Sequence, residues 1–230
     1  PGGMAGQDFV SWSQLSTFRQ CPLKYNFRYV ERLPPEFVSA SLVFGSAVHR
    51  AIEFHHRQQL EGLASPSLDL LLAEFWDEWN LRKAEAPDIR FGRNEDLNAV
   101  GHAADRMLTC FLESEAAQPT GRIIAIEEAF RGSFLSGYPE FLGYVDLNND
   151  PGDGLVARDD HTSRSRCNQG TAEAAPQQLL LYGELNRERL PGTELRLEFC
   201  VITKARQPRI ESFEVHVDPL RVRRTRRVAE

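Results

Sequence analysis

The chain has 230 residues, 41% of them hydrophobic, and a formal net charge of −6. This is enough apolar sequence for a core, and we expect one domain spanning residues 1–230. The longest apolar run, around Leu68 to Trp76, is broken by acids and too short to cross a bilayer, and the N-terminus lacks the basic-then-apolar pattern of a secretory signal. We therefore expect a cytoplasmic protein that does not associate with membranes.

Residues 11–118 have a mainly helical pattern. Ser11 and Ser13 are N-cap candidates for a first helix that Pro22 interrupts. The aromatic residues that follow, Tyr25, Phe27 and Tyr29, are predicted to pack in the core rather than to stack on nucleic-acid bases. Apolar residues at helical spacing predict three more helices, at 44–56, 67–80 and 96–115.

Residues 119–217 change to a strand-rich pattern. A first strand around residues 123–130 precedes a hairpin, in which strands 141–147 and 154–160 flank a turn at 148–153. A helix over 176–189, with Pro176 suited to its first turn, separates the hairpin from two further strands at 194–203 and 210–217. Residues 218–230 are predicted to form a basic C-terminal helix.

Each arm of the hairpin carries an acidic residue in or at the end of an apolar segment. These are Asp146 and Asp159, and an unpaired carboxylate there would be costly. Converging carboxylates hold Mg²⁺ or Mn²⁺ for phosphate chemistry. The alternative is that Asp159 and Asp160 begin a solvated loop, because turns attract aspartate. The hairpin alone leaves both open.

Four patterns in chain order resemble one family. The hairpin pattern of Asp146 followed by Asp159-x-His161-Thr162-Ser163 resembles the core of the PD-(D/E)XK nuclease superfamily, in particular its RecB-like exonuclease branch. The opening Ser-x-Ser-x-Leu-x-x-Phe-x-x-Cys-Pro-x-x-Tyr is similar to the N-terminal signature of that branch. Two further matches are Gly-x-x-x-His from Gly45 to His49 and Gln-x-x-x-Tyr from Gln178 to Tyr182.

The resemblance implies an α/β fold with a restriction-endonuclease-like mixed central sheet flanked by helices and a helical N-terminal insertion. It implies a Mg²⁺- or Mn²⁺-dependent DNA nuclease in repair or recombination, in which a metal-activated water attacks the phosphodiester and a helicase or other repair subunit is a partner. The implied metal ligands are His49, Asp146 and Asp159. The implied catalytic residues are Asp146, Asp159 and His161, with Gln178 and Tyr182 supporting the site.

His161 stands where the family has lysine. A histidine has an ordinary pKa near 6.5 and gives up most of the positive charge at pH 7, while it gains a lone pair that can accept a proton. The alternative reading is therefore a catalytically impaired nuclease fold that binds DNA or a partner protein.

Glu127 matches an acidic residue that many relatives carry upstream of the hairpin. It can assist metal binding or be an edge-strand charge, and we favour the second interpretation.

Residues 201–230 carry eight Lys or Arg against four acids, while residues 1–200 carry 19 against 29. This basic segment is either a solvated helix surface or a phosphate-binding one. We expect Arg158, Arg164 and Arg166 beside the site to contact DNA phosphates rather than bases.

The four cysteines, Cys21, Cys110, Cys167 and Cys200, form no Cys-x-x-Cys pair. Relatives in the RecB-like branch often hold an iron-sulfur cluster with an N-terminal Cys-Pro cysteine and a C-terminal trio. Cys21 fits the first position, but the other three are not spaced as a trio, so we expect no cluster.

Overall fold

A mixed sheet with helices on both faces organises the chain. The structure, a computed structural model, describes residues 9–133, 139–164, 177–189, 192–216, 220 and 223. The strands are β1 (Phe9–Ser11), β2 (Val38–Ser39), β3 (Ile89–Arg90), β4 (Arg122–Gly132), β5 (Glu140–Asp150), β6 (Leu155–Ser163), β7 (Leu195–Thr203) and β8 (Ile210–Glu214). The α-helices are α1 (Trp12–Gln20), α2 (Pro22–Tyr25), α3 (Ala40–Leu60), α4 (Leu68–Glu85), α5 (Leu97–Leu112) and α6 (Gln177–Arg189).

The main sheet has the strand order β1-β5-β6-β7-β8, with β4 also paired to β5. The β1/β5 and β6/β7 pairs are parallel, and the β4/β5, β5/β6 and β7/β8 pairs are antiparallel. This architecture confirms the expected α/β fold with a mixed sheet flanked by helices. β2 and β3 form a separate parallel pair beside α3.

Strand β7 shows how one sheet contributes to two apolar layers. Cys200 and Ile202 pack with the buried faces of α3, α4 and α5 on one side. Leu197, Phe199 and Val201 pack with α6, and with partly buried residues of α1, on the other. Because successive strand residues point to opposite faces, this alternation buries the strand on both sides.

Two details differ from the sequence-based expectation, and one further prediction is not tested. Strand β5 continues to Asp150, because the side chains of Asn148 and Asn149 are buried and Asn149 donates to the Thr120 carbonyl at 2.7 Å. Strand β1 was not predicted, since three residues are too few to show alternation. The predicted basic helix at 218–230 lies almost wholly outside the described residues.

The aromatic segment after Pro22 is not in the core. None of the residues of α2 or of the π-helix that follows it, Asn26–Val30, is buried. The prediction that Tyr25, Phe27 and Tyr29 pack inside was wrong, because no other described element covers this segment enough to bury it.

Among the described residues, no helix combines the length and the apolar character that a membrane span needs.

Helix α4 offers a matched test of the core. Phe75 is fully buried and its ring contacts Phe44 at a centroid distance of 5.4 Å, whereas Leu70 on the same helix is 53% exposed. We expect Phe75→Ala to lower the free energy of unfolding by about 3–5 kcal/mol, because it leaves a cavity. Leu70→Ala should change it by less than about 0.5 kcal/mol. Urea denaturation measures both, and equal losses would contradict the packing.

Candidate functional site

The acidic residues gather where the β5/β6 hairpin opens. The paired residues of that ladder are 147–149 with 156–158, so Asp146 and Asp159 stand directly beyond its last pair. On the other edge of β5, Glu127 lies between two residues that pair with Leu147 and Val145, which places it opposite Asp146. Three neighbouring strands therefore each present one carboxylate at the same level of the sheet.

His49 on α3 completes a group of possible metal ligands. One ligand atom from each of His49, Glu127 and Asp146 lies within 4.8 Å of the others, and His49 Nδ1 is 3.9 Å from Asp146 Oδ1. The group opens into a cavity of about 1020 Å³, lined also by Arg50, His161 and Thr162. An imidazole and two carboxylates are a donor set that suits Mn²⁺ and Mg²⁺.

Gly45 lets α3 approach β6 closely. A β-carbon added at Gly45 would lie 3.2 Å from Thr162 Oγ1 on β6, a spacing tighter than side chains normally tolerate. One helical turn further on, His49 shares the same face of the helix and so faces the acidic group. The close packing of α3 against β6 thus explains the glycine of the Gly-x-x-x-His pattern.

Asp159 lies near this group but outside it. It is not among the three residues whose ligand atoms are mutually within 4.8 Å. Burial, followed by repulsion from Asp160 and Glu127, raises the pKa of Asp159 to about 7. Burial and then the charge of Asp159 raise the pKa of Asp146 well above its usual range. These carboxylates repel one another, which is the condition that a bound divalent cation relieves, so the residues fit the metal that the sequence implied.

Glu127 is the residue that sequence reasoning undervalued. It is half-buried, belongs to the ligand group, and has a backbone φ of 51°. A non-glycine residue in this region carries backbone strain, and such strain clusters at functional sites. The geometry supports the metal-binding alternative over the edge-strand charge.

Arg158 and Asp160, on either side of Asp159 in β6, belong to a buried network of polar contacts. The Arg158 guanidinium pairs with Asp160 at 3.1 Å, donates to the Ala116 carbonyl at 3.0 Å and donates to His56 Nε2 at 2.8 Å. Burial and then the charge of Arg158 lower the pKa of His56 to about 4, so its imidazole is neutral and can accept this bond. The Asp160 amide donates to Asp146 Oδ2 at 2.5 Å, which joins the network to the acidic group.

Arg158 therefore does not lie on a DNA-facing surface. Its side chain is 4% exposed and its donors point to internal partners. The prediction that it contacts phosphates was wrong, because alternation along β6 turns Arg158 and Asp160 away from Asp159.

Gln178 and Tyr182 attach α6 to β5 on either side of Asp146. Gln178 Nε2 donates to the Tyr144 carbonyl at 2.6 Å, and the buried Tyr182 hydroxyl donates to Asn148 Oδ1 at 3.3 Å. Tyr144 and Asn148 each lie two residues from Asp146. Gln178 and Tyr182 thus bond to β5 and are not part of the group of possible metal ligands.

His161 lies at the cavity and is exposed, with its ring stacked on Phe199 at a centroid distance of 5.6 Å. Partial desolvation, followed by repulsion from His49, lowers the pKa of His161. It is therefore a neutral imidazole at pH 7 and does not replace a lysine's charge.

The remaining predicted residues are placed as follows. The exposed Arg164 donates to the Ser41 hydroxyl at the rim of the cavity. Arg166 and Cys167 lie outside the described residues. Cys21 is exposed, Cys110 partly exposed and Cys200 buried.

The sheet order and the acidic hairpin define a restriction-endonuclease-like α/β fold. The chain belongs to the PD-(D/E)XK nuclease superfamily, whose family model matches residues 10–228. No curated protein matches the chain.

One solved structure agrees with this fold. A candidate exonuclease from Eubacterium rectale aligns with a TM-score of 0.59 and 17% identity, covering 97% of this chain and 77% of that chain. Another solved structure, SSO0001, aligns with a TM-score of 0.32 and 14% identity over 85% of this chain and 74% of that chain.

The raised carboxylate pKa values predict a pH-dependent response to metal. Asp159 has an ordinary pKa near 4 and a folded value of about 7. Between these two pH values the folded state keeps a proton on Asp159 that the unfolded chain has lost, and this proton stabilises the fold. The stabilisation is lost as pH rises through about 7. Mn²⁺ competes with that proton, so we expect it to raise the melting temperature more at pH 8 than at pH 6.

The control for this experiment is a carboxylate on the same strand. Asp146→Asn should abolish the Mn²⁺ response, whereas Glu140→Gln, at the exposed beginning of β5, should keep it. A response that survives Asp146→Asn would show that the ion binds elsewhere.

The buried network predicts a non-additive pair of substitutions. Arg158→Met should lower the free energy of unfolding by about 3–5 kcal/mol, because Asp160 would remain buried without its partner. Adding Asp160→Leu should recover much of this loss. Arg57→Met, which removes a surface pair with Glu53, should cost less than about 1 kcal/mol. Additive losses at 158 and 160 in urea denaturation would exclude the coupling.

Proposed function

We propose that the protein is a metal-dependent DNA nuclease of the RecB-like exonuclease type. The observation that carries this proposal is the group of His49, Glu127 and Asp146, which lies beside Asp159 and lines an open cavity. Family membership supplies the reaction class, hydrolysis of a phosphodiester.

Each residue has a distinct task in this proposal. His49, Glu127 and Asp146 would hold Mg²⁺ or Mn²⁺, and Asp159 would join them through a small side-chain adjustment. The bound ion would stabilise charge on the scissile phosphate and lower the pKa of the attacking water. The Asp160 amide fixes Asp146 Oδ2 and so orients the other oxygen towards His49.

His161 would act as a proton acceptor rather than as a cation. It is neutral at pH 7, lies at the cavity and is held by Phe199. A neutral imidazole can take a proton from the attacking water, but it cannot offset the charge that develops on the phosphate. Hydrolysis should therefore be slower than with lysine at this position.

The biological setting is part of the same proposal and rests on the resemblance to the RecB-like branch. It comprises DNA repair or recombination, a helicase or other repair subunit as partner, and a cytoplasmic location. Arg164, at the rim of the cavity, and Arg166 would contact DNA phosphates.

A second candidate function is a DNA- or partner-binding module that has lost hydrolysis. The neutral His161 favours this second function, because it offers no positive charge to a phosphate. Within the described lining of the cavity, the arginines are paired with acids. Arg50 pairs with Glu53 at 3.1 Å and Arg82 with Glu78 at 2.6 Å.

The substitution His161→Lys separates the two functions. If the missing charge limits an otherwise complete site, lysine should raise the rate of cleavage of labelled DNA by about a hundred- to a thousandfold. The gain should occur in both Mg²⁺ and Mn²⁺. Single- and double-stranded substrates of the same sequence measure it.

Two controls complete this experiment. Asp146→Asn in the His161→Lys background should remove the gained activity, and His161→Ala should not gain any. A parent protein that is active and unchanged by lysine would show that His161 is a competent substitute. Inactivity of both proteins under every condition would favour the binding module.

A further inference from the structure

An apolar surface remains uncovered at the N-terminal end of the described chain. Five large apolar side chains within residues 18–33 are between 42% and 60% exposed: Phe18, Leu23, Phe27, Val30 and Leu33. Isolated exposed apolar residues are common, but a group within one short segment marks an interaction site. We call the exposed part of residues 18–33 the N-terminal surface.

The aromatic rings of this surface are ordered by one another. Phe18 meets Tyr25 edge-on at 5.4 Å, and Tyr25 lies 5.2 Å from Tyr29. The segment Asn26–Val30 is π-helical, a geometry that is rare and often found at functional sites. Rings held in this way lose little conformational entropy when they bind a flat partner.

The charge of the surface selects the partner. Arg19, Lys24, Arg28 and Arg32 are exposed, and Glu31 is the single acid within residues 18–33, an excess of three positive charges in a chain of net charge −6. The Arg28 guanidinium lies over the Tyr29 ring at 5.3 Å. Alternating cations and exposed rings match a ligand that combines phosphates with uncovered bases.

We propose that the N-terminal surface binds single-stranded DNA by stacking bases on its aromatic and apolar side chains. Duplex DNA hides its bases and would engage the cations alone, so it would bind more weakly. Stacking is tolerant of sequence because every base has a flat face. The surface therefore confers a preference for unpaired strands without a sequence preference.

A chain of contacts connects this surface to the candidate metal site. Arg19 Nη1 donates to Gln177 Oε1 at 3.2 Å, and the adjacent Gln178 donates to the Tyr144 carbonyl. Tyr144 is 48% exposed and precedes Asp146 by two residues in β5. The inference rests on the proposed function only in taking DNA as the ligand.

Binding without cleavage tests the inference. Fluorescence anisotropy with a labelled oligodeoxythymidylate and with a mixed-sequence duplex of equal length, both in EDTA, reports affinity independently of hydrolysis. We expect Phe27→Ala to weaken binding of the single strand by about tenfold, the order of one lost base stack, and to change duplex binding much less. Lys24→Ala should weaken both and reduce their salt dependence.

The controls are matched in chemical character and exposure. Phe91→Ala removes a ring that is 40% exposed beyond α4, and Arg106→Ala removes an exposed cation on α5. Both should leave single-strand affinity unchanged. Unaltered affinity after Phe27→Ala and Lys24→Ala would overturn the inference, and so would equal losses for both DNA forms after Phe27→Ala. Because the assay contains no divalent ion, neither result depends on whether the protein cleaves DNA.

Discussion

Mutual repulsion among the carboxylates where the β5/β6 hairpin opens is the constraint on which the site depends. Asp146 has a raised pKa because it is buried and because Asp159 and Asp160 lie near it. Proteins keep like charges this close where a cation or a shared proton compensates them. The sheet brings the acids together and leaves their charge unbalanced, so a cation that binds there would compete with protons.

The helical layer supplies the imidazole that lies beside the carboxylates of the sheet. Helix α3 packs on β6 through the close approach at Gly45 and presents His49 to Asp146. The same helix carries His56 two turns later, where it accepts a bond from Arg158 inside the protein. One helix thus contributes a possible metal ligand at the surface and a neutral acceptor in the core. Substitutions that shift α3 would alter both together.

The fold was largely predictable from sequence, and the site only in part. Hydrophobic period predicted α3, α4, α5 and β4, turn signals bounded the β5/β6 hairpin, a proline at a first helical position indicated α6, and the order of the motifs indicated the family. Glu127 was undervalued because its left-handed backbone conformation has no local sequence signal. Arg158 was misplaced although alternation could have placed it: residues 158 and 160 share the face opposite to 159. The aromatic segment after Pro22 is exposed, although aromatic residues commonly pack in a core. Composition does not reveal which elements cover a segment, so its exposure could not be predicted from the sequence.

In the proposed nuclease, the charge of the side chain at position 161 would affect metal binding as well as cleavage. Asp160 is neutralised by Arg158 at 3.1 Å, which leaves Asp146, Asp159 and Glu127 as the acids without a described cationic partner. His49 would bind an ion through a ring lone pair and so would bring it no positive charge, and the lowered pKa of His161 favours the uncharged form of its imidazole. A lysine at this position would cancel one of the three charges. In the proposed nuclease, a histidine would leave all three charges to a bound ion, so we expect this site to hold divalent metal more tightly than a lysine-bearing variant, at the expense of the charge that would stabilise the phosphate during cleavage.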